Sequence, residues 1–372
     1  MTEAAEPAGP AEWADRLRVQ SAACEDLGSH LYGRLLRLLA ADCAAGGVTW
    51  DVLAPHAGLR FGQAGPLRLL GAAHGLALAG SAPEWAAVLP SCGGSVPPDD
   101  GSLGLAWSRL VAAHHDGLSA GLGREVQTNE VGRSAGLALG AAAAALPDGT
   151  TLVELGCSGG LNLRFDRFEV DLGGVVLGAS GSSVRLVPEM RAAAGPLGGL
   201  PRIDRRVGLD PHPVDATSAD GALTLQSFVW PDQAERLARV RSAIELASAV
   251  PAELRQVDDT AVALADLLAG RSGPTLVQHS IVWQYLPTDQ RWRVTRAIEE
   301  AGERATSSDP LAWVRYEPDE WDRTRAAVWL RRWPDGGDRL VAQVDFHGRW
   351  IRPVGGWSAV PGAPGRIPPV AD

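Results

Sequence analysis

Acids at the ends of three apolar runs, one of them followed by a cluster of small residues, carry the chemistry this sequence offers. Glu154 closes a run and leads through Leu155 into Gly156, Cys157, Ser158, Gly159 and Gly160. Asp210 closes a second run in R-V-G-L-D-P-H-P, and Asp258 and Asp259 close a third in L-R-Q-V-D-D. A glycine-rich turn after a strand lets a ligand approach backbone amides that side chains would otherwise shield. A carboxylate at the end of the next strand can accept two hydrogen bonds from the cis-diol of a ribose. On this reading Glu154 hydrogen-bonds the cofactor or the loop amides, and Gly156, Cys157, Ser158 and Gly160 form the cradle. Asp210 then grips the ribose, and Asp258 or Asp259 accepts from an adenine amino group.

Gly156, Ser158 and Gly160 also spell G-x-S-x-G, the elbow that presents a serine nucleophile. An elbow of that kind follows several strands and is served by an HGGG-type oxyanion segment, and the chain before residue 151 offers neither. A serine hydrolase using Ser158 is therefore the third reading. Cys157 reads as a small buried loop residue.

Other residues can face a substrate. Gln127, Asn129 and Glu130 in Q-T-N-E-V-G-R-S can close over the ligand, or the segment can start a helix with Thr128 or Asn129 as its cap. Asn162 and Asp166 open what reads as the next helix, as caps or as substrate contacts. His279, at the end of a fourth run, is the candidate general base because imidazole titrates near neutral pH, although a histidine so placed is often structural. Trp283 and Tyr285 can wall a planar or apolar substrate. His114, His115 and Asp116, like Asp210, His212 and Asp215, lack a recognised metal-ligand spacing, so no metal is expected.

These residues need a parallel sheet to bring them to one edge. Short apolar runs at 151–155, 206–209, 253–257, 275–279 and 311–316 alternate with amphipathic segments, the pattern of an α/β sheet. The clearest helix is W-P-D-Q-A-E-R-L-A-R-V-R-S-A-I-E-L-A-S-A, with Pro231 in its first turn, Asp232 and Glu235 at its positive end, and Leu237, Val240, Ile244 and Ala247 as its buried stripe. Further helices are expected at 259–269 and 288–301. A turn at Pro334 and Asp335 joins two late strands as an antiparallel hairpin. Residues 1–146 read as a helical region, with helices near 29–44 (capped by Ser29), 66–79 and 103–117. Residues 147–353 read as the α/β domain with an insertion at about 168–205, and 354–372 as a loose tail.

Composition narrows the function. The 34 basic residues are all arginine, which removes Schiff-base chemistry, a P-loop lysine and a Ser-Lys dyad. A formal charge of −10 argues against a broad nucleic-acid surface. The four scattered cysteines make neither a disulfide framework nor a zinc site. No apolar stretch is long enough to span a bilayer, and the acidic first residues do not resemble a signal peptide, so a cytoplasmic protein is expected.

With these residues in view, E-L-G-C-S-G-G resembles the cofactor loop of class I S-adenosylmethionine-dependent methyltransferases, V-G-L-D-P-H-P their second-strand motif, and the final hairpin their last two strands. More specifically, Q-T-N-E-V-G-R-S-A, V-W-P-D-Q-A-E-R-L-A-R-V, H-S-I-V-W-Q-Y-L-P and F-H-G, together with those motifs, are similar to a bacterial family known only as a domain of unknown function, over about 127–350. The resemblance implies a Rossmann-like fold with a mostly parallel sheet, S-adenosylmethionine as cofactor, and methyl transfer to a small molecule or protein side chain. Two departures stand out: Ser158 replaces the middle glycine, and about fifty residues separate the loop from Asp210 where a Rossmann unit uses about twenty. They leave open a second reading, a regulatory or binding protein that keeps the fold without transfer chemistry.

Overall fold

The computed structural model describes residues 7–195, 197–335 and 337–354. Two compact units interleave along the chain, where the sequence had suggested one cut near residue 146. One comprises the chain up to 128 with 218–241, and the other comprises 129–217 with the chain from 242 onward. The tail expected after residue 353 lies, beyond Val354, outside the described residues.

The first unit is helical. His30–Ala44 starts on Ser29, whose hydroxyl oxygen accepts the Tyr32 N–H at 3.3 Å, and it buries Leu31, Leu35, Leu36 and Leu39. Pro10–Asp26, Gly65–Leu78 and Asp100–Leu122 are its other long helices. The expected helix at 231 starts later, as Ala234–Ala249. Asp232 therefore does not serve its own helix. Its carboxylate accepts from the Ser29 hydroxyl at 2.6 Å and the Leu31 N–H at 2.9 Å, satisfying donors at the head of the helix His30–Ala44. Trp230 joins this unit's core.

The second unit is mixed α/β. Its strands are, in chain order, β1 (Thr150–Leu155), β2 (Glu169–Asp171), β3 (Val176–Gly178), β4 (Arg185–Leu186), β5 (Glu189–Met190) and β6 (Ile203–Asp210). There follow β7 (Glu253–Gln256), β8 (Thr275–Ser280), β9 (Leu311–Pro318), β10 (Ala326–Trp333), β11 (Asp338–Val344) and β12 (Trp350–Pro353). The large sheet has the order β5-β12-β11-β10-β9-β8-β1-β6-β7. Its five neighbours β7, β6, β1, β8 and β9 pair in parallel, and they are the five runs read from the sequence. From β9 to β12 the strands form an antiparallel meander.

The insertion contains a hairpin, β2–β3, within a small sheet of order β3-β2-β4, and β5 then pairs with β12. That pairing places β5 at the edge of the large sheet opposite β7, while the end of the insertion runs into β6.

Side-chain alternation assigns the two faces. On one, the helix Ser134–Ala144, apolar after its first residue, presses Gly136 and Gly140 against Tyr316, Val314 and Val328, an approach that a side chain at either glycine would block. On the other, Thr260–Ala269 and Thr288–Glu303 cover Val153, Leu155, Val277 and Trp313. No α-helix follows the glycine loop. Leu161–Arg167 is a 3-10 turn, contrary to expectation, and every residue from Leu161 to Phe165 is buried, so the segment presents no solvent-facing helical side there.

Candidate functional site

The glycine loop leaves the carboxyl end of β1 in the middle of the parallel strands. Gly156, Ser158 and Gly160 all take left-handed backbone conformations, with φ of 63°, 50° and 64°. Ser158 thus occupies a position whose backbone suits glycine. Its N–H donates to Asp210 Oδ2 at 2.8 Å, and Asp210 Oδ1 accepts the His212 N–H at 2.8 Å. The Ser158 carbonyl accepts the Val214 N–H at 3.1 Å. Asp210 is accordingly a clamp joining the loop to the turn after β6, each oxygen accepting one backbone N–H among the described residues. Cys157 packs its sulfur against Gly208, and burial pushes its thiol well above the ordinary range, which makes it inert. The space that Gly156 leaves open is taken: a Cβ there would collide with both methyls of Val282, from the segment after β8.

On the Ser134–Ala144 face, Glu154 is buried, and desolvation pushes its carboxyl up to about 8 against the pull of the nearby Arg164 guanidinium. It is therefore protonated at neutral pH and can donate as well as accept. Gln278, its register partner on β8, donates from Nε2 to the Asn162 carbonyl at 3.4 Å. Glu154 Oε2 and Gln278 Oε1 are buried without a partner. Asn162 Oδ1 accepts the Ser134 hydroxyl at 2.8 Å, and Asn129 Oδ1 accepts the Leu161 N–H at 2.8 Å. Neither Thr128 nor Asn129 heads the following turn. Glu130 does so, accepting the Gly132 N–H at 3.0 Å. Gln127 is buried and belongs to the first unit.

His279 lies on the opposite face from Glu154, one residue beyond Gln278 on β8. The ring is fully buried and stacks on Trp283, with centroids 4.9 Å apart and planes 13° apart. Its Nδ1 lies within hydrogen-bond distance of Glu317 Oε1, at 2.6 Å, which leaves Nε2 as the other ring nitrogen. That atom is buried without a partner, as is Glu317 Oε2. Glu317 Oε1 also accepts the N–H groups of Val282, at 3.0 Å, and Trp283, at 3.3 Å. Sequence reasoning did not single out Glu317. Its signal was the same as for Asp210, an acid closing an apolar run, here just past residue 316.

The remaining candidates scatter. Tyr285 is 67 % exposed. Asp258 is exposed beyond the end of β7. Asp259 caps Thr260–Ala269 through the Ala261 and Val262 N–H groups and pairs with Arg293 at 2.6 Å, a bond that holds its carboxyl below the usual range. Asp166 pairs with the buried Arg206 at 2.6 Å. Among the described residues no group of three His, Cys, Asp or Glu side chains can hold a metal, and no helix is long and apolar enough to cross a membrane.

The clamp, the left-handed loop and the His279–Glu317 pair have no counterpart to be read from a relative, because no curated protein and no solved structure matches the chain. A family model described as an uncharacterised protein conserved in bacteria does match, over residues 14–352. It takes in both units and every strand of the large sheet except the last residue of β12, so the chain belongs to that family, DUF2332.

Proposed function

We propose that the α/β unit binds S-adenosylmethionine and transfers its methyl group to a small molecule or a protein side chain. The observation that carries this reading is the Asp210 clamp on the Ser158 amide, at the ends of the central strand and its neighbour. Counted along the chain, the five parallel strands run 3-2-1-4-5. In open sheets of that order a ligand binds at the carboxyl edge where the order reverses, which here lies between β1 and β8. When bound, the cofactor would supply an electrophilic methyl group. The chain would supply the amides of the loop, the Asp210 carboxylate for the ribose hydroxyls, and the protonated Glu154. Positioning of the acceptor would provide much of the rate, with His279 Nε2 as the base and Glu317 at the ring's Nδ1. In one respect the fit is incomplete: Val282 fills the space above Gly156.

A second reading, a binding or regulatory protein with the transfer chemistry lost, is favoured by one observation. His279 is enclosed and faces away from Glu154 across the sheet. Titration with S-adenosylhomocysteine separates the readings. A ligand at 100 times its Kd stabilises the folded state by about 2.7 kcal/mol, so a thermal shift that D210N diminishes supports cofactor binding at this edge. No shift at millimolar ligand sinks it. Binding without a methylated product across a metabolite and peptide screen selects the regulatory reading.

A further inference from the structure

We propose that residues 281–286 form a lid over the glycine loop, that Glu317 is its latch, and that Val282 fills in the closed state the space a nucleoside ligand takes in the open one. The ligand half of this inference rests on the cofactor reading above, whereas the latch does not.

Several observations converge on the segment. It starts at Ile281, a β-branched residue in the left-handed region at φ 53°, a conformation that such side chains adopt only when their surroundings impose it. It continues with Val282, whose methyls fill the space that Gly156 leaves by lacking a side chain. Trp283 lies flat on His279. The segment then turns outward, with Gln284 and Tyr285 exposed. The Ile281 N–H donates to the Tyr316 carbonyl at 2.8 Å, and the buried Arg291 guanidinium donates to the Leu286 and Gln284 carbonyls at 2.8 and 3.3 Å, so both ends are anchored and residues 282 and 283 between them are tied through one atom. Glu317 Oε1 accepts from the Val282 and Trp283 N–H groups and lies 2.6 Å from His279 Nδ1, while the other oxygen is buried without a partner. Beneath it His279 Nε2 also has no partner. A buried donor or acceptor left unmet raises the energy of the closed state, so this arrangement combines a strained hinge, a latch on residues 282 and 283 and polar atoms that opening would expose. A segment of plain core would have its polar atoms met and its backbone relaxed.

Hydrogen exchange of the full-length protein without ligand tests the latch. In E317A the amides of Val282 and Trp283 should exchange on the order of tenfold faster than in wild type, while β1 amides stay protected and so report an intact fold. E317Q, which keeps a carbonyl acceptor, should recover much of the protection. If E317A changes exchange at 282–283 by less than about twofold with β1 protected, the latch is overturned. S-adenosylhomocysteine tests the occupant: V282A should tighten its Kd by about tenfold, and its binding to wild type should speed exchange at 282–283. Weaker binding by V282A would make Val282 a wall of the site and overturn its role as competitor. Failure of both proteins to bind removes the cofactor reading and the ligand half with it, while the exchange data still decide whether the lid opens.

Discussion

Asp210 reaches from the end of β6 to the amide of Ser158, 52 residues earlier in the chain, at 2.8 Å. The bond fixes a serine in a glycine-like backbone conformation and makes loop geometry depend on a side chain outside the loop. Removing the carboxylate should therefore cost stability even without ligand. D210A loses two charge-assisted hydrogen bonds to backbone N–H groups and should be destabilised by about 2–4 kcal/mol. D210N keeps one carbonyl acceptor and should lose roughly half as much. Urea denaturation of the three proteins checks this, and equal stability of D210A and wild type would remove the clamp.

Glu154 predicts an unusual loss of stability toward alkaline pH. Folding raises its carboxyl from 4.5 to about 8, so the folded chain holds the proton more tightly than the unfolded one. The resulting stability is fully present below pH 4.5, declines as pH rises through about 8 and is gone above it. The slope reaches at most about 1.4 kcal/mol per pH unit. E154Q should flatten that slope between pH 6 and 9 in urea titrations; an unchanged slope would reassign it to another group.

His74 acts in the opposite direction, in the helical unit. Burial lowers its imidazole from 6.5 to about 4, and the neutral ring bonds the Ser227 carbonyl through Nδ1 at 3.1 Å and the Ser91 hydroxyl through Nε2 at 2.8 Å. Its contribution is present above pH 6.5 and lost as pH falls through 4. H74Q should be less stable than wild type at pH 7 and should close most of that gap by pH 4, as read from denaturation midpoints at the two pH values.

Gly156 and Val282 should be coupled. G156A adds a left-handed penalty of about 1–2 kcal/mol and a collision with the Val282 methyls worth about 1–3 kcal/mol. In a V282A background only the backbone part should persist. The double-mutant cycle should return the collision, about 1–3 kcal/mol, as coupling; additive effects would mean that the two residues do not meet.

Most of the parallel strands were legible as short apolar runs bounded by polar or turn residues, a signal that survives without knowledge of neighbours, whereas β7, Glu253–Gln256, carries a single apolar residue and was located by its place in the alternation. The left-handed loop was legible from its small residues. Its occupant was not, because nothing in G-C-S-G-G records that Val282, more than a hundred residues on, fills the gap. The segment after the loop misled for a local reason. Leu161, Leu163 and Phe165 recur every second residue, which argues against the helix read there. Asp232 shows the limit of local rules in another way, since an acid beside its own helix start served a helix 201 residues away.

The interleaving of the units bears on how the protein is made. The helical unit lacks residues 218–241, with Trp230 among them, until the ribosome has first produced 129–217 of the other unit. Completion of the first-synthesised unit must then wait for the strands that carry Glu154 and Asp210, so the usual N-terminal-first maturation of domains is unavailable to this chain. A nascent chain stalled before residue 218 should expose apolar helix faces and engage chaperones, whereas one stalled well past residue 241 should not.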